Sequence, residues 1–254
     1  MIDIHCHILN NVDDGARGIE DSLAIAQEAI KQGINTIIAT PHHRNNQFLN
    51  TKNDILEKVS YLNSIFQERK IPLSVIAGQE IRIYGEMLEG FNRDELLPLN
   101  SSRYVLVEFP TSSIPKYTNK LFYNLQLEGY IPVIAHPERN HKILDDPNVL
   151  YDLVANGALS QLTAASLCGR FGKRIKNLSE NLIEANLVHF VASDAHNTTN
   201  RNITMDEAFN KIEDSFGRSV AYNYIENAEL LIDDQMIIKD MPTKIKKKKF
   251  LGIF

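Results

Sequence analysis

His5 and His7 stand one residue apart at the head of the chain. On a β-strand that spacing puts both imidazoles on one face, because alternate side chains share a face. Convergent imidazoles usually mean a metal ion. Further candidate ligands recur along the sequence: Asp14, His42, Glu80, Glu108, His136, Asp194 and His196. A single catalytic zinc takes about three protein ligands plus water, so nine such groups, with some sharing, would serve two or three ions.

Apolar stretches suited to buried strands lie at residues 2–5, 36–40, 73–77, 104–108, 131–135, 159–162 and 188–192. Between them run longer amphipathic segments, including predicted helices over 19–32, closed by Gly33, over 54–69, and over 119–128, ending at Gly129. The alternation predicts about seven βα units around a parallel sheet. A chain of 254 residues, 43% of them hydrophobic, can bury one barrel-sized core. No internal repeat, low-complexity linker or composition shift marks a boundary before the lysine-rich end.

Nearly all the candidate ligands fall just after a predicted strand. In a (β/α) barrel the C-terminal strand ends and the loops after them build the active site, so one mouth could gather all nine. A hydrogen-bonded or exposed imidazole would explain any single histidine. It does not explain five histidines and four carboxylates at matching topological positions.

Other features narrow the class. Two cysteines, Cys6 and Cys168, make no disulfide framework, and the opening MIDIHCHI has no basic segment, apolar stretch or cleavage site of a signal peptide. The expected location is cytoplasmic. No apolar run approaches the roughly 18 residues of a membrane span. Residues 239–254 carry six Lys against one Asp, which leaves the body with 21 basic and 31 acidic residues, a net charge of −10. A site for several divalent cations accounts for part of that excess, and a solvated acidic surface for the rest. No basic patch suggests nucleic acid. The tail itself combines Lys244 and Lys246 to Lys249 with Phe250, Leu251, Ile253 and Phe254. It is suited either to peripheral contact with an anionic membrane or to a disordered solubilising end.

Read in order, IDIHCH, VDDGA, ATPHH, GQE, VEFP, AHPER and SDAH resemble the PHP (polymerase and histidinol phosphatase) superfamily. Within it, residues 1–232 closely resemble the manganese-dependent bacterial protein-tyrosine phosphatases encoded with capsule or exopolysaccharide genes. The resemblance implies a distorted (β/α)7 TIM-like barrel of PHP type over residues 1–238, followed by the basic tail 239–254. It also implies a ligand arrangement: His5, His7, Glu80 and Asp194 on one ion, with Glu80 bridging to a second held by Glu108 and His136, and Asp14, His42 and His196 on a third. Cys6 departs from the pattern, since relatives more often carry a small polar residue there. Its side chain should face away from the histidines and pack.

Mixed imidazole and carboxylate ligands favour Mn²⁺, Fe or Zn²⁺ over all-oxygen Mg²⁺ or Ca²⁺ sites, and the resemblance selects manganese. Clustered ions lower the pKa of a bridging water and clamp both oxygens of an in-line displacement, so hydroxide would attack phosphorus without a covalent enzyme intermediate. A tyrosyl phenolate, pKa near 10, leaves more readily than an alkoxide, which suits a site with no clear general acid. Arg139 and Arg201 follow ligand histidines by three and five residues and match basic positions that hold phosphate in the family. Such residues grip phosphate with planar bidentate hydrogen bonds. Arg44 is similarly placed, His43 and His141 could reach the rim, and His189 reads as structural. The substrate implied is a phosphotyrosine protein, an autophosphorylated membrane-bound tyrosine kinase controlling capsule or exopolysaccharide synthesis.

Rival readings are weaker. Cys168 to Arg174 satisfies C-x5-R, the spacing of cysteine phosphatases, but no His precedes the Cys and no Ser or Thr follows the Arg, so a loop entering a helix near Ile175 is preferred. A histidinol-phosphate-type or exonuclease-type PHP enzyme would share the metals and take another substrate. An amidohydrolase would also carry HxH, yet no lysine follows a mid-chain strand. A non-catalytic relative would have lost a ligand, and all nine are present.

Overall fold

The computed structural model describes residues 1–246, so the basic tail from Lys247 onward lies outside the described residues. Among the described residues nine strands form: β1 (Ile2–Cys6), β2 (Thr36–Ala39), β3 (His42–His43), β4 (Ser74–Ala77), β5 (Glu80–Arg82), β6 (Tyr104–Glu108), β7 (Ile131–Ala135), β8 (Leu159–Thr163) and β9 (Phe190–Ala192). They pair in parallel as two sheets, β1-β2-β4 and β3-β5-β6-β7-β8-β9. This is an α/β fold with parallel sheets, as the alternation of apolar and amphipathic segments predicts.

Two strands differ from their predicted form. The stretch expected over 36–40 stops at Ala39 and resumes at His42. Pro41 between them lacks the N–H that a continuous ladder needs. The next strand likewise breaks at Gly78 and Gln79 and resumes at Glu80. Gly78 sits where a Cβ would lie 2.6 Å from Ile38 Cγ2, so only glycine lets the chains approach that closely. Pairing survives both breaks, since Gly78 N–H donates to Ala39 O at 2.9 Å and Glu80 N–H to Pro41 O at 3.1 Å.

Helices take up the amphipathic segments, including Ile19–Lys31, Lys52–Glu68 and Thr118–Leu127. The second starts at a capping box, Thr51 with Asp54, which satisfies two otherwise orphaned backbone donors. Gly33 and Gly129, in left-handed conformation at φ +76° and +87°, close the first and third as expected.

Strand alternation sorts the core. Ile4, Ile38, Leu106, Val133, Leu159 and Phe190 gather in one buried cluster, while Ile37, Val105, Val107, Ile134 and Val191 pack in another. Continuing by twos along four of these strands leads from Ile38 through Thr40 to His42, from Leu106 to Glu108, from Leu159 to Gln161, and from Phe190 through Ala192 to Asp194; β1 departs from the rule, since Ile4 leads to Cys6 and the register shifts between Asp3 and Cys6. The face that is apolar at one end of the strands therefore becomes polar and ligand-bearing at the other.

Among the described residues, no helix is long and apolar enough to cross a membrane.

Candidate metal centre

At that polar end the nine candidates meet. His5 Nε2 and His7 Nε2 lie 3.2 Å apart. Glu80 Oε2 is 3.5 Å from each nitrogen, and Asp194 Oδ1 is 3.5 Å from His5 Nε2 and 3.4 Å from His7 Nε2. These are the separations of donors around one ion, since two ligands each roughly 2.1 Å from a metal at tetrahedral or octahedral angles stand about 3.0–3.4 Å apart.

On His5, His7 and His196 the Nδ1 atoms are tied to acceptors. His7 Nδ1–H donates to Asp13 Oδ2 at 2.7 Å, His5 Nδ1–H to Gln161 Oε1 at 2.8 Å, and His196 Nδ1–H to the Asp194 carbonyl at 3.0 Å. A proton held on Nδ1 leaves Nε2 as the atom that would present its lone pair to a bound ion, the arrangement that outer partners impose on metal-bound histidines. Two protonated Nε2 atoms could not share a 3.2 Å contact.

Glu80 spans two donor groups. Its Oε2 faces His5, His7 and, at 2.8 Å, His42 Nδ1, while Oε1 lies 2.8 Å from His136 Nε2. Glu108 Oε2 is 3.8 Å from His42 Nδ1. Asp14 Oδ1 lies 3.4 Å from both His42 Nε2 and His196 Nε2. Three groups of side chains thus have the spacing to hold an ion: His5, His7 and Glu80; His42, Glu80 and Glu108; and His7, Asp14, His42 and His196.

Electrostatics favour positive charge here. Burial works to lower the His7 pKa, yet the Asp13 carboxylate overrides it and lifts it to about 9; for His42, burial is likewise overridden, by Glu80 and Asp14, and the value rises to about 11. Burial and the neighbouring Glu80 push Glu108 up to about 7. The His196 and His42 rings beside it hold Asp14 well below the usual carboxylate range. Glu80 Oε2 and His196 Nε2 are buried and make no hydrogen bond of good geometry, although His42 Nδ1 and Asp14 Oδ1 stand 2.8 and 3.4 Å from them. A donor set so short of cations fits divalent ions.

Backbone strain serves the same end. His136 directly follows Ala135 and would face the other side of a continuing strand, but its φ of +31° turns it inward. Asp194 is also left-handed, at φ +51°. Such conformations persist where surrounding structure imposes them and cluster at functional sites.

The arginines take more specific positions than a solvated rim. Arg139 Nη2 lies 2.6 Å from Asp194 Oδ2. Arg201 reaches Asp194 Oδ1 at 3.3 Å and Asp14 Oδ2 at 3.4 Å. Both line a cavity of about 400 Å³ with His42, Glu108 and His136. Arg44 instead lies over the Tyr84 ring at 4.4 Å. His43 is buried with Nδ1 donating to Asn50 O, so it does not reach the rim. His189 stands outside the cluster, its Nδ1 accepting from Ser160 N–H at 3.1 Å; it lines a separate cavity of about 240 Å³ with Tyr224. Cys6 is fully buried in the core.

The C-x5-R pair does not assemble. Arg174 is exposed and bound to Asp145 Oδ1 at 2.6 Å, while burial, with Glu207 nearby, pushes the Cys168 thiol up to about 11. A nucleophilic cysteine needs the opposite shift.

Four residues of the site escape a reading by motif alone. Asp13 sits in the VDDGA motif beside Asp14, and the glycine of that motif is fixed by geometry: a Cβ on Gly15 would lie 2.3 Å from His7 O. Gln161 is a polar residue at an inward position of an apolar strand, a signal present in the sequence. Arg82 binds Glu108 Oε2 through Nη2 at 2.9 Å. Glu138, within AHPER, is buried and accepts from Ser166 Oγ at 2.6 Å and Thr163 N at 3.2 Å, anchoring the turn that carries Arg139.

A family model described as capsular polysaccharide synthesis, CpsB/CapC, matches residues 1–233. Tyrosine-protein phosphatase YwqE of Bacillus subtilis (strain 168) is 51% identical over 254 residues, covering 100% of both chains. Putative tyrosine-protein phosphatase CapC of Staphylococcus aureus is 42% identical over the same length, again covering 100% of both. A crystal structure from work on YwqE of Bacillus subtilis and CpsB of Streptococcus pneumoniae, described as unique metal-dependent tyrosine phosphatases, matches with a TM-score of 0.95 at 51% identity, covering 97% of this chain and 100% of that one. The chain therefore belongs to the CpsB/CapC family of capsular polysaccharide synthesis.

Proposed function

We propose that this protein is a metal-dependent protein-tyrosine phosphatase that hydrolyses phosphotyrosine on a protein substrate. The observation that carries the reading is the set of separations, 3.2 to 3.5 Å, among His5, His7, Glu80 and Asp194. The names of the two relatives point to the same activity.

In this reading His5, His7, Glu80 and Asp194 would hold one ion, Glu80 would be shared with a second held by Glu108 and His136, and Asp14, His42 and His196 would hold a third. Mn²⁺ is the ion proposed, with Fe or Zn²⁺ compatible with the same donors. Bound divalent ions lower the pKa of coordinated water and polarise phosphoryl oxygens. Asp13 and Gln161 keep His7 and His5 in the tautomer that presents Nε2. Arg139 and Arg201 grip the phosphoryl oxygens with charge-assisted hydrogen bonds. The leaving phenolate, pKa near 10, needs little proton donation, and no carboxylic acid is assigned to that task.

The fold proposed is a single distorted seven-stranded barrel over residues 1–238. β2 with β3 and β4 with β5 are consecutive pieces of single strands, and a parallel bridge from Cys6 to Ala195 links β1 to the segment after β9. The proposed substrate is an autophosphorylated membrane-bound tyrosine kinase of capsule or exopolysaccharide synthesis, met at the cytoplasmic face. The family description supports that setting. Peripheral membrane contact through the lysine tail belongs to the same proposal.

The test is a phosphotyrosyl peptide assayed with wild type, Cys168→Ser and chelated enzyme, followed by metal addition. Cys168→Ser should stay active, chelation should abolish turnover, and Mn²⁺ should restore it. Turnover persisting after verified metal removal would overturn the reading, and equal rates on histidinol phosphate would move the substrate to a small phosphate monoester.

A further inference from the structure

The loop that imitates a cysteine phosphatase cradle has another use. Cys168 and Arg174 are directed to different partners, but Phe171 between them lines the same cavity as Glu108, His136, Arg139 and Arg201. We propose that Phe171 is a specificity-determining residue, an aromatic wall that selects aryl phosphates over alkyl phosphates. This inference rests on the phosphatase reading above and names the part of the site that recognises the tyrosyl ring.

Phe171 is held in place before any substrate arrives. Gly172 N–H donates to Gly169 O at 3.0 Å, closing a tight turn with Arg170 and Phe171 at its centre. Both glycines are left-handed, at φ +80° and +93°, which residues with a Cβ adopt at a cost. Arg170 N–H and Gly169 N–H bond back to Ala165 O and Ser166 O, each at 3.0 Å, so the turn is tied to the helix before it. The ring remains half-buried.

Its position relative to Arg139 gives the direction of the substrate. The Arg139 guanidinium carbon lies 5.4 Å from the Phe171 ring centroid, within cation–π range. A phosphoryl group gripped by Arg139 therefore carries its ester substituent into a space bordered by Phe171. Phe109 lines that cavity as well and is fixed by stacking on Phe122, centroids 6.1 Å apart and planes inclined by 18°. The cavity is thus lined both by His42, Glu108, His136, Arg139 and Arg201 and by two aromatic rings. A phenyl ring gains from stacked or edge-on contact with such residues. The short alkyl arm of phosphoserine has no π face to offer.

Phenylphosphonate and methylphosphonate separate ring recognition from phosphoryl recognition, because they share the anionic group and differ in the ring. Calorimetric titration of the metal-loaded protein should find phenylphosphonate the tighter ligand. Phe171→Ala should weaken phenylphosphonate about tenfold while leaving methylphosphonate and metal content unchanged, and Phe171→Tyr should keep the preference. Should the alanine variant fail to fold, Phe171→Leu keeps the bulk without the π face, and should lose part of the same preference. Equal weakening of both phosphonates would reduce Phe171 to a prop for Arg139 and overturn the proposal, as would unchanged phenylphosphonate affinity or absence of any phenyl preference in wild type. The two readings fail differently. A wild type that does not cleave a phosphotyrosyl peptide removes the phosphatase reading, whereas an active enzyme indifferent to residue 171 removes only the aromatic wall.

Discussion

Arg139 Nη2 lies 2.6 Å from Asp194 Oδ2, while the other oxygen of that carboxylate faces His5 and His7 at 3.5 and 3.4 Å. One guanidinium thus both borders the cavity shared with His42, Glu108 and His136 and orients a candidate ligand. From sequence alone Arg139 and Arg201 look equivalent, and the geometry separates them. Arg139→Ala should lose phosphate affinity by about 1.5–3 kcal/mol and, through Asp194, metal affinity by about 10–100-fold. Arg201→Ala, whose contacts to Asp194 are longer at 3.3 and 3.4 Å, should lose phosphate with a smaller change in metal. Metal titration alongside phosphate inhibition measures both, and wild-type metal affinity in Arg139→Ala would disprove the coupling.

Glu80 should be the most damaging single carboxylate to remove. Its two oxygens address different donor groups, Oε2 toward His5 and His7 and Oε1 toward His136. Glu80→Ala leaves both groups a ligand short, so metal and activity should disappear together. Full metal occupancy by elemental analysis in this variant would rule out a bridge.

Asp13 acts at one remove from the centre. Its carboxylate holds the His7 proton on Nδ1 at 2.7 Å, so Asp13→Ala should cost about 10–100-fold in metal affinity with the fold retained by circular dichroism. Unaltered metal affinity would show that His7 needs no such partner.

His189 supplies a pH test outside the metal cluster. Burial, with Lys239 nearby, depresses its pKa from 6.5 to about 3. The unfolded imidazole takes up a proton below 6.5, whereas the folded one stays neutral until near 3. Stability should therefore fall as pH drops through that window, by about 1.4 kcal/mol per pH unit from this group. In His189→Asn the side-chain oxygen can still accept the Ser160 N–H, and the slope should flatten by that amount in denaturant titrations at pH 5 and pH 7.5. An identical pH dependence in both proteins would refute the assignment.

The sequence by itself determined the types of donor and the face they share. Both are local properties: imidazoles and carboxylates announce their chemistry, and a period of two carries the inward face from Leu106 to Glu108 and from Leu159 to Gln161. It also placed the parallel strands, because buried apolar runs and amphipathic helices read differently over a few residues. Tertiary structure decided which donors lie around a common point. Gln161 stands 156 residues from His5, whose tautomer it sets, and no local pattern encodes that pairing. The left-handed turns at His136 and Asp194, the strand breaks at Pro41 and Gly78, and the swing of Arg139 onto Asp194 depend on contacts between distant segments. The C-x5-R spacing marks the same limit, since spacing fixes how far apart two side chains are along the chain, while packing sent Cys168 into a half-buried pocket and Arg174 out to Asp145.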